Sequence, residues 1–81
     1  MKIEFQESAK KDLKKLDKSI AQKILLQIKN LENYPELSNI KKLKNIYPPL
    51  RYRIGDYRVL FEVLDKVIVV IHIKHRKEAY K

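Results

Sequence analysis

Three of the four arginines in this chain lie in one short stretch, RYRIGDYR, at Arg51, Arg53 and Arg58, around its only glycine. The fourth, Arg76, lies near the C-terminus in HRKEAY, and all the other basic residues are lysines. A guanidinium group offers paired donors that match phosphate oxygens, and it stays protonated at any physiological pH. The arginines therefore indicate a site for a phosphate-containing anion.

The net charge of +9 is concentrated in the second half of the chain. Residues 1–40 have a balance of +2 and residues 41–81 a balance of +7, which favours a polyanionic partner for the second half. Lys41, Lys42, Lys44 and Lys74 extend the predicted positive surface. The alternative is that these cations are solvated strand residues that discourage edge-to-edge aggregation.

The two histidines, His72 and His75, are close together in HIKH. Without cysteine or a nearby carboxylate cluster, and with lysine and arginine around them, they predict no metal site, and we expect no cofactor. His72 is expected to be a neutral surface histidine. His75, beside Arg76 at the end of a predicted strand, is the candidate for proton transfer or RNA contact.

The length and composition predict one soluble domain spanning residues 1–81. The absence of cysteine excludes a disulfide scaffold and thiol catalysis. No stretch approaches the roughly 20 apolar residues of a membrane span, and the N-terminal residues are too charged for a signal peptide. We therefore expect a cytoplasmic protein with no membrane partner.

Helical periodicity precedes strand periodicity along the chain. Apolar spacing predicts two helices over residues 8–17 and 19–33, capped by Ser8 and Asp17 and ended by Pro35, with an edge strand at KIEF before them. From Leu50 the apolar period is two. A two-residue turn at Gly55-Asp56 then pairs Arg53 with Arg58 on one face, opposite an apolar face.

The next turn decides the face of every later residue, because a slip of one residue exchanges the two sides of a strand. A three-residue loop over residues 64–66 gives the cleaner segregation of apolar and charged side chains, and we predict it. It extends the apolar face with Val67, Val69, Ile71 and Ile73. It adds to the arginine face Ile68, Val70, His72, Lys74 and Arg76.

Two segments, KKLKNIYPPLRYRIGDYRVLFEV and VIVVIHIKHRKEAY, resemble the RelE/ParE toxin superfamily of prokaryotic toxin–antitoxin modules, and the likeness extends to the opening FQESAKKDLKKL. It implies an α+β, RelE-like fold. In this fold an N-terminal helical hairpin packs on one face of a twisted antiparallel sheet, in the order β-α-α-β-β-β. It also implies a RelB-like antitoxin, with operator DNA bound only through the toxin–antitoxin complex.

The RelE branch cleaves messenger RNA in the ribosomal A site without metal, using a basic cluster and a C-terminal tyrosine. Matched by motif, the resemblance implies that the catalytic residues are Arg51, Arg53, Arg58, Arg76 and Tyr80. Tyr80 would either stack on a base or serve as the general base. Arg51 and Arg53 stand where the best-studied members have lysines. This weakens any role in proton transfer, because arginine hardly deprotonates.

Two further functions fit the same resemblance. The ParE branch shares the fold and inhibits DNA gyrase by binding. A non-catalytic member would bind only antitoxin and operator DNA. The combination of Arg76 and Tyr80 favours the RelE branch, since the gyrase branch does not need that set.

Overall fold

In the computed structural model, which describes residues 1–79, five strands form one sheet with helices packed on one of its faces. Along the chain, the strands are β1 (Lys2–Phe5), β2 (Ile40–Lys42), β3 (Leu50–Ile54), β4 (Tyr57–Leu64) and β5 (Val67–His75). The helices are α1 (Glu7–Lys14), α2 (Lys18–Ile28) with a 3₁₀ extension (Lys29–Asn33), and the short α3 (Arg76–Ala79).

The strands lie in the order β1-β5-β4-β3-β2. Strands β2 to β5 are antiparallel neighbours, whereas β1 pairs in parallel with β5. The α+β class and the packing of the helical hairpin on one face are confirmed. The parallel β1 pairing and the short β2 add to the predicted arrangement.

The helical hairpin forms close to the predicted positions, but its first cap differs. Gln6, not Ser8, is the N-cap of α1, and the Ser8 hydroxyl instead donates to the carbonyl of Ile71 at 2.6 Å. Asp17 occupies the N-cap of α2, without a side-chain capping bond. The helical segment ends at Asn33, just before Pro35, as expected for a residue that cannot continue a helix.

The helix-facing side of the sheet forms the core. Strands β3 and β4 contribute alternate residues, among them Tyr52, Val59 and Phe61, which form the apolar face predicted opposite Arg53 and Arg58. Removing these side chains from water is the main favourable term in folding. The remaining members come chiefly from the helices and β5: Ala9, Ile24, Ile28, Leu31, Leu50, Ile68, Val70 and Ile73.

The predicted three-residue loop between β4 and β5 is wrong. Leu64 pairs with Val67, so that only Asp65 and Lys66 form the turn, with φ of 48° and 64°. A two-residue turn with both φ values positive normally carries Asn-Gly or Asp-Gly, which is why Asp-Lys did not indicate it. Ile68 and Val70, expected on the arginine face, are consequently fully buried in the core.

A β-bulge at Ile71 returns the rest of β5 to the predicted faces. Phe61 pairs with Val70 but Leu60 pairs with His72, which leaves Ile71 as the additional residue. Lys74 therefore lies opposite Arg58, and Ile73 returns to the core face opposite Val59. No helix within residues 1–79 is long and apolar enough to cross a membrane.

Candidate functional site

The sheet face away from the core carries a row of cations across three strands. Arg53 on β3 lies directly opposite Arg58 on β4, which lies directly opposite Lys74 on β5. The backbone N–H of Arg53 points away from β4 and donates to the carbonyl of Asn39 at 3.0 Å. Arg53 and Arg58 are therefore a non-hydrogen-bonded pair of the β3–β4 ladder. Side chains are closer in such pairs. We call this side of β2 to β5 the basic face.

A groove of about 270 Å³ opens on the basic face beside this row. Arg51 lies on the same side of β3 as Arg53, two residues earlier in the chain, and is paired with Lys41 on β2 and Leu60 on β4. Arg51 and Arg58 are each only 8% exposed, whereas Arg53 is exposed. The groove is lined by Asn39, Ile40, Lys41, Arg51, Arg53 and Arg58.

The Gly55-Asp56 turn brings Arg58 and Arg76 to the same end of the sheet. The Arg58 guanidinium donates to the carbonyls of Gly55 at 2.9 Å and Tyr57 at 3.0 Å. Arg76 donates its backbone N–H to the carbonyl of Asp56 at 2.7 Å, and its Nε lies 3.8 Å from the Asp56 carboxylate. Gly55 has φ of 56°, which glycine adopts without steric cost.

An acidic residue of α1, Asp12, meets the β5 end of the cationic row. One carboxylate oxygen accepts from the backbone N–H of Ile73 at 2.9 Å and lies 3.0 Å from Nδ1 of His72. The other lies 3.4 Å from Nζ of Lys74. The Asp12 side chain is 11% exposed, so this carboxylate is held in place from several directions.

The surroundings of Asp12 lower its pKa below the usual value. Burial acts in the opposite direction and is the largest influence, because it disfavours the charged form. The hydrogen bonds from Ile73 and His72 and the charge of Lys74 together outweigh it. Asp12 is therefore a carboxylate at neutral pH.

An exposed aromatic ring marks the other end of the basic face. Tyr47, in the segment between β2 and β3, is 66% exposed, and the carboxylate of Glu62 on β4 raises the pKa of the Tyr47 hydroxyl. Ring faces of this kind stack on nucleobases.

The structure separates three other candidates from the groove. His75 lies opposite Tyr57 on the helix-facing side, with the two rings edge-to-face at 5.4 Å. Lys42 pairs with Leu50, and Lys44 is an exposed residue of the following loop. Tyr80 lies outside the described residues.

The Asp12–His72 pair escaped the sequence analysis, because the two residues are 60 positions apart and neither belongs to a recognisable motif. Within residues 1–79, no three histidine, aspartate or glutamate side chains converge as a metal-binding group. The residues above define a small α+β protein whose sheet presents a cationic groove on the face away from its helices.

The comparisons with known proteins place this architecture in a family. Residues 3–80 match the model of the ParE toxin of type II toxin–antitoxin systems. Toxin RelE3 of Methanocaldococcus jannaschii is 34% identical over 84 residues, which cover 99% of this chain and 96% of that protein. The chain belongs to the RelE/ParE toxin superfamily and is a RelE-like toxin of a type II toxin–antitoxin system.

Solved structures show the same fold. The RelE of a RelB–RelE antitoxin–toxin complex from Methanococcus jannaschii matches with a TM-score of 0.73 at 32% identity, covering 95% of this chain and 94% of that one. An archaeal RelE–RelB complex from Pyrococcus horikoshii gives 0.73 at 30% identity, covering 93% of each chain. Both matches cover more than nine-tenths of this chain.

Proposed function

We propose that this toxin is a ribosome-dependent endoribonuclease that cleaves messenger RNA in the A site and so inhibits translation. The observation that carries the proposal is the cationic row of Arg53, Arg58 and Lys74, with Arg51 beside it in the groove. Directly opposed cations repel each other in the free protein. A bound phosphodiester removes that repulsion, so the arrangement suits an RNA backbone.

The proposed reaction is attack of a 2′-hydroxyl on the adjacent phosphorus, without metal. The P–O2′ bond forms, the P–O5′ bond breaks, and the products are a 2′,3′-cyclic phosphate and a 5′-hydroxyl. Negative charge builds on the phosphoryl oxygens, and preorganised arginines stabilise it. Arg58 and Arg76 bind the scissile phosphate from the Gly55-Asp56 end. Arg51 and Arg53 hold the RNA strand.

Other candidates take supporting roles in this proposal. Lys41 and Lys74 extend the phosphate-binding surface at the two sides of the groove. Tyr80 is assigned from the family motif alone, as a group that stacks on a base of the bound message. Lys42 and Lys44 attract RNA at longer range from the exposed edge of the sheet.

A RelB-like antitoxin is the proposed protein partner. The toxins from Methanococcus jannaschii and Pyrococcus horikoshii, at 32% and 30% identity, were each solved in complex with RelB. An antitoxin that covers the basic face would block access of the message. Binding to operator DNA would then occur through the toxin–antitoxin complex.

Primer extension on a message bound to ribosomes, after addition of the purified toxin, tests the proposal. We expect cuts that require ribosomes, and Arg58→Ala and Arg76→Ala variants that lose roughly 10²–10³ in rate, the cost of removing one donor from an oxyanion site. Full activity in both variants would refute the arginine assignment. Absence of ribosome-dependent cuts with the unaltered toxin would refute the function itself.

The match to the ParE family model favours one second candidate, inhibition of DNA gyrase on the same fold. Double-strand breaks that accumulate on induction, with messages intact, would establish it in place of RNA cleavage. A toxin that causes neither effect and leaves growth unharmed would instead be a member that binds only antitoxin and operator DNA.

A further inference from the structure

The proposed cleavage needs a group that accepts the proton of the attacking 2′-hydroxyl. The arginines of the groove cannot do so, because a guanidinium keeps its proton at physiological pH. Imidazole is the side chain whose ordinary pKa suits the task. Of the two histidines in the sequence, His72 lies on the basic face and His75 on the helix-facing side.

His72 stands within reach of the same RNA strand as the arginines. On the basic face it lies directly opposite Leu60 and is the diagonal neighbour of Arg58, whose direct partner is Lys74. Diagonal neighbours on one face of a sheet are about 7–8 Å apart, which long side chains span. The His72 side chain is 37% exposed, so its ring is accessible from the face.

Asp12 fixes the orientation and the tautomer of His72. The carboxylate is immobilised by the Ile73 N–H at 2.9 Å and lies 3.0 Å from Nδ1 of His72. Because an ionised carboxylate only accepts hydrogen bonds, the neutral imidazole must carry its proton on Nδ1. Nε2 then holds the free lone pair, which is the arrangement that a general base requires.

We propose that His72, positioned by Asp12, is the general base of the cleavage reaction; this rests on the RNA-cleaving function proposed above. Nε2 takes the proton from the 2′-hydroxyl as the 2′-oxygen bonds to phosphorus. The bond to the 5′-oxygen breaks, and that oxygen takes a proton from water. The imidazolium then returns its proton to solvent. His72 is the catalytic residue and Asp12 a positioning residue.

Charges of both signs surround His72 and contribute to the pH dependence of the reaction. A general base acts only in its neutral form. The charged groups beside His72 are Asp12 on α1, Lys74 on β5, and its two diagonal neighbours on β4, Arg58 and Glu62. The rate should therefore rise with pH until the imidazole is neutral and then level off.

The test is the single-turnover rate of cleavage of a ribosome-bound message, measured as a function of pH. We expect His72→Gln to lose about 10²–10⁴ in rate, the usual contribution of a general base, and to lose the rise in rate at acidic pH. Added imidazole should restore part of the rate of His72→Ala. Asp12→Asn should lower the rate, because Nδ1 of His72 loses the carboxylate that orients the ring, and Asp12→Glu should retain part of it.

Asp17→Asn is the matched control, since it removes the same charge from the helical hairpin at an exposed residue that makes no capping bond. It should leave both rate and pH profile unchanged. Circular dichroism and thermal unfolding establish that each variant is folded. Unfolded Asp12→Asn would leave the two His72 variants as the test.

The outcomes separate the two proposals. Ribosome-dependent cleavage by the unaltered toxin, with a wild-type rate and pH profile in His72→Gln, would overturn the role of His72 alone. A His72→Gln variant that is slower but keeps the acidic limb, together with a His72→Ala variant that imidazole does not rescue, would assign His72 a structural role. That result would also overturn its role as general base. No cleavage by the unaltered toxin would overturn the function and the base together.

Discussion

Replacing Arg53 by glutamine should stabilise the protein. Arg53 is exposed and directly opposite Arg58 in a non-hydrogen-bonded pair. Two unit charges about 6 Å apart in water repel by about 0.7 kcal/mol. Like charges directly opposed across strands cost up to about 1 kcal/mol. We therefore expect the free energy of unfolding of Arg53→Gln to exceed that of the unaltered protein by about 0.5–1 kcal/mol.

The assay is thermal and urea unfolding at low and high ionic strength. For a chain of this size the gain corresponds to about 2–8 °C in Tm at 20 mM salt. It should fall to about a third of that at 0.5 M salt, where the Debye length is about 4–5 Å. Lys14→Gln, which removes the same charge from an exposed position on α1, should change stability by less than about 0.5 kcal/mol. A salt-independent loss of stability in Arg53→Gln would refute the reasoning and make this arginine structural.

Two other measurements test the fold around β5. Val70→Ala should lower the free energy of unfolding in urea by about 2 kcal/mol, because Val70 is fully buried. Val69→Ala should lower it by less than about 1 kcal/mol, because Val69 is only partly buried. Equal or reversed losses would contradict the register of β5. The lowered pKa of Asp12 means that its contribution is complete above the unfolded pKa, near 4, and is lost as pH falls through the lower folded value. The stability deficit of Asp12→Asn should accordingly shrink between pH 5 and pH 2.5, and a deficit independent of pH would exclude this linkage.

The sequence was sufficient to predict the family, the α+β class and the hairpin of β3 and β4. Gly55 is the residue that a two-residue turn favours at its first position, so the pairing of Arg53 with Arg58 was correctly predicted. Alternation in β3 and β4 also identified the apolar side chains of the core, since successive side chains of a strand point to opposite faces; it did not reveal that Arg51 and Arg58 are buried on the other face. These features depend on local pattern.

The features that the sequence did not reveal depend on distant contacts or on costly backbone angles. The turn at Asp65-Lys66 holds two non-glycine residues at positive φ, which no local preference indicates. The bulge at Ile71 leaves no mark in a run of β-branched residues, and the contact of Asp12 with His72 joins positions 60 apart. Segregation of charge by face chose the wrong loop, because it assumed a single regular register through β5.

Strand β5 contributes Ile68 and Val70 to the core before the bulge at Ile71, and His72 and Lys74 to the basic face after it. Before the bulge β5 pairs with β1, and this pairing ends where Gln6 donates to the carbonyl of Val70. Beyond the bulge α1 replaces the missing strand: Ser8 donates to the carbonyl of Ile71, and Asp12 accepts from the N–H of Ile73.

Asp12, which accepts the hydrogen bond from the N–H of Ile73 at this edge of β5, is thus also the residue that contacts His72. If β5 continued without the bulge, so that Ile71 itself paired with Leu60, Lys74 would move to the helix-facing side, and the cationic row would lose its β5 member. Asp12 would then meet a different set of side chains. The bulge at Ile71 places Lys74 and His72 on the basic face, and α1 covers the edge of β5 at the same point. The basic face and the covering of this edge therefore depend on one another.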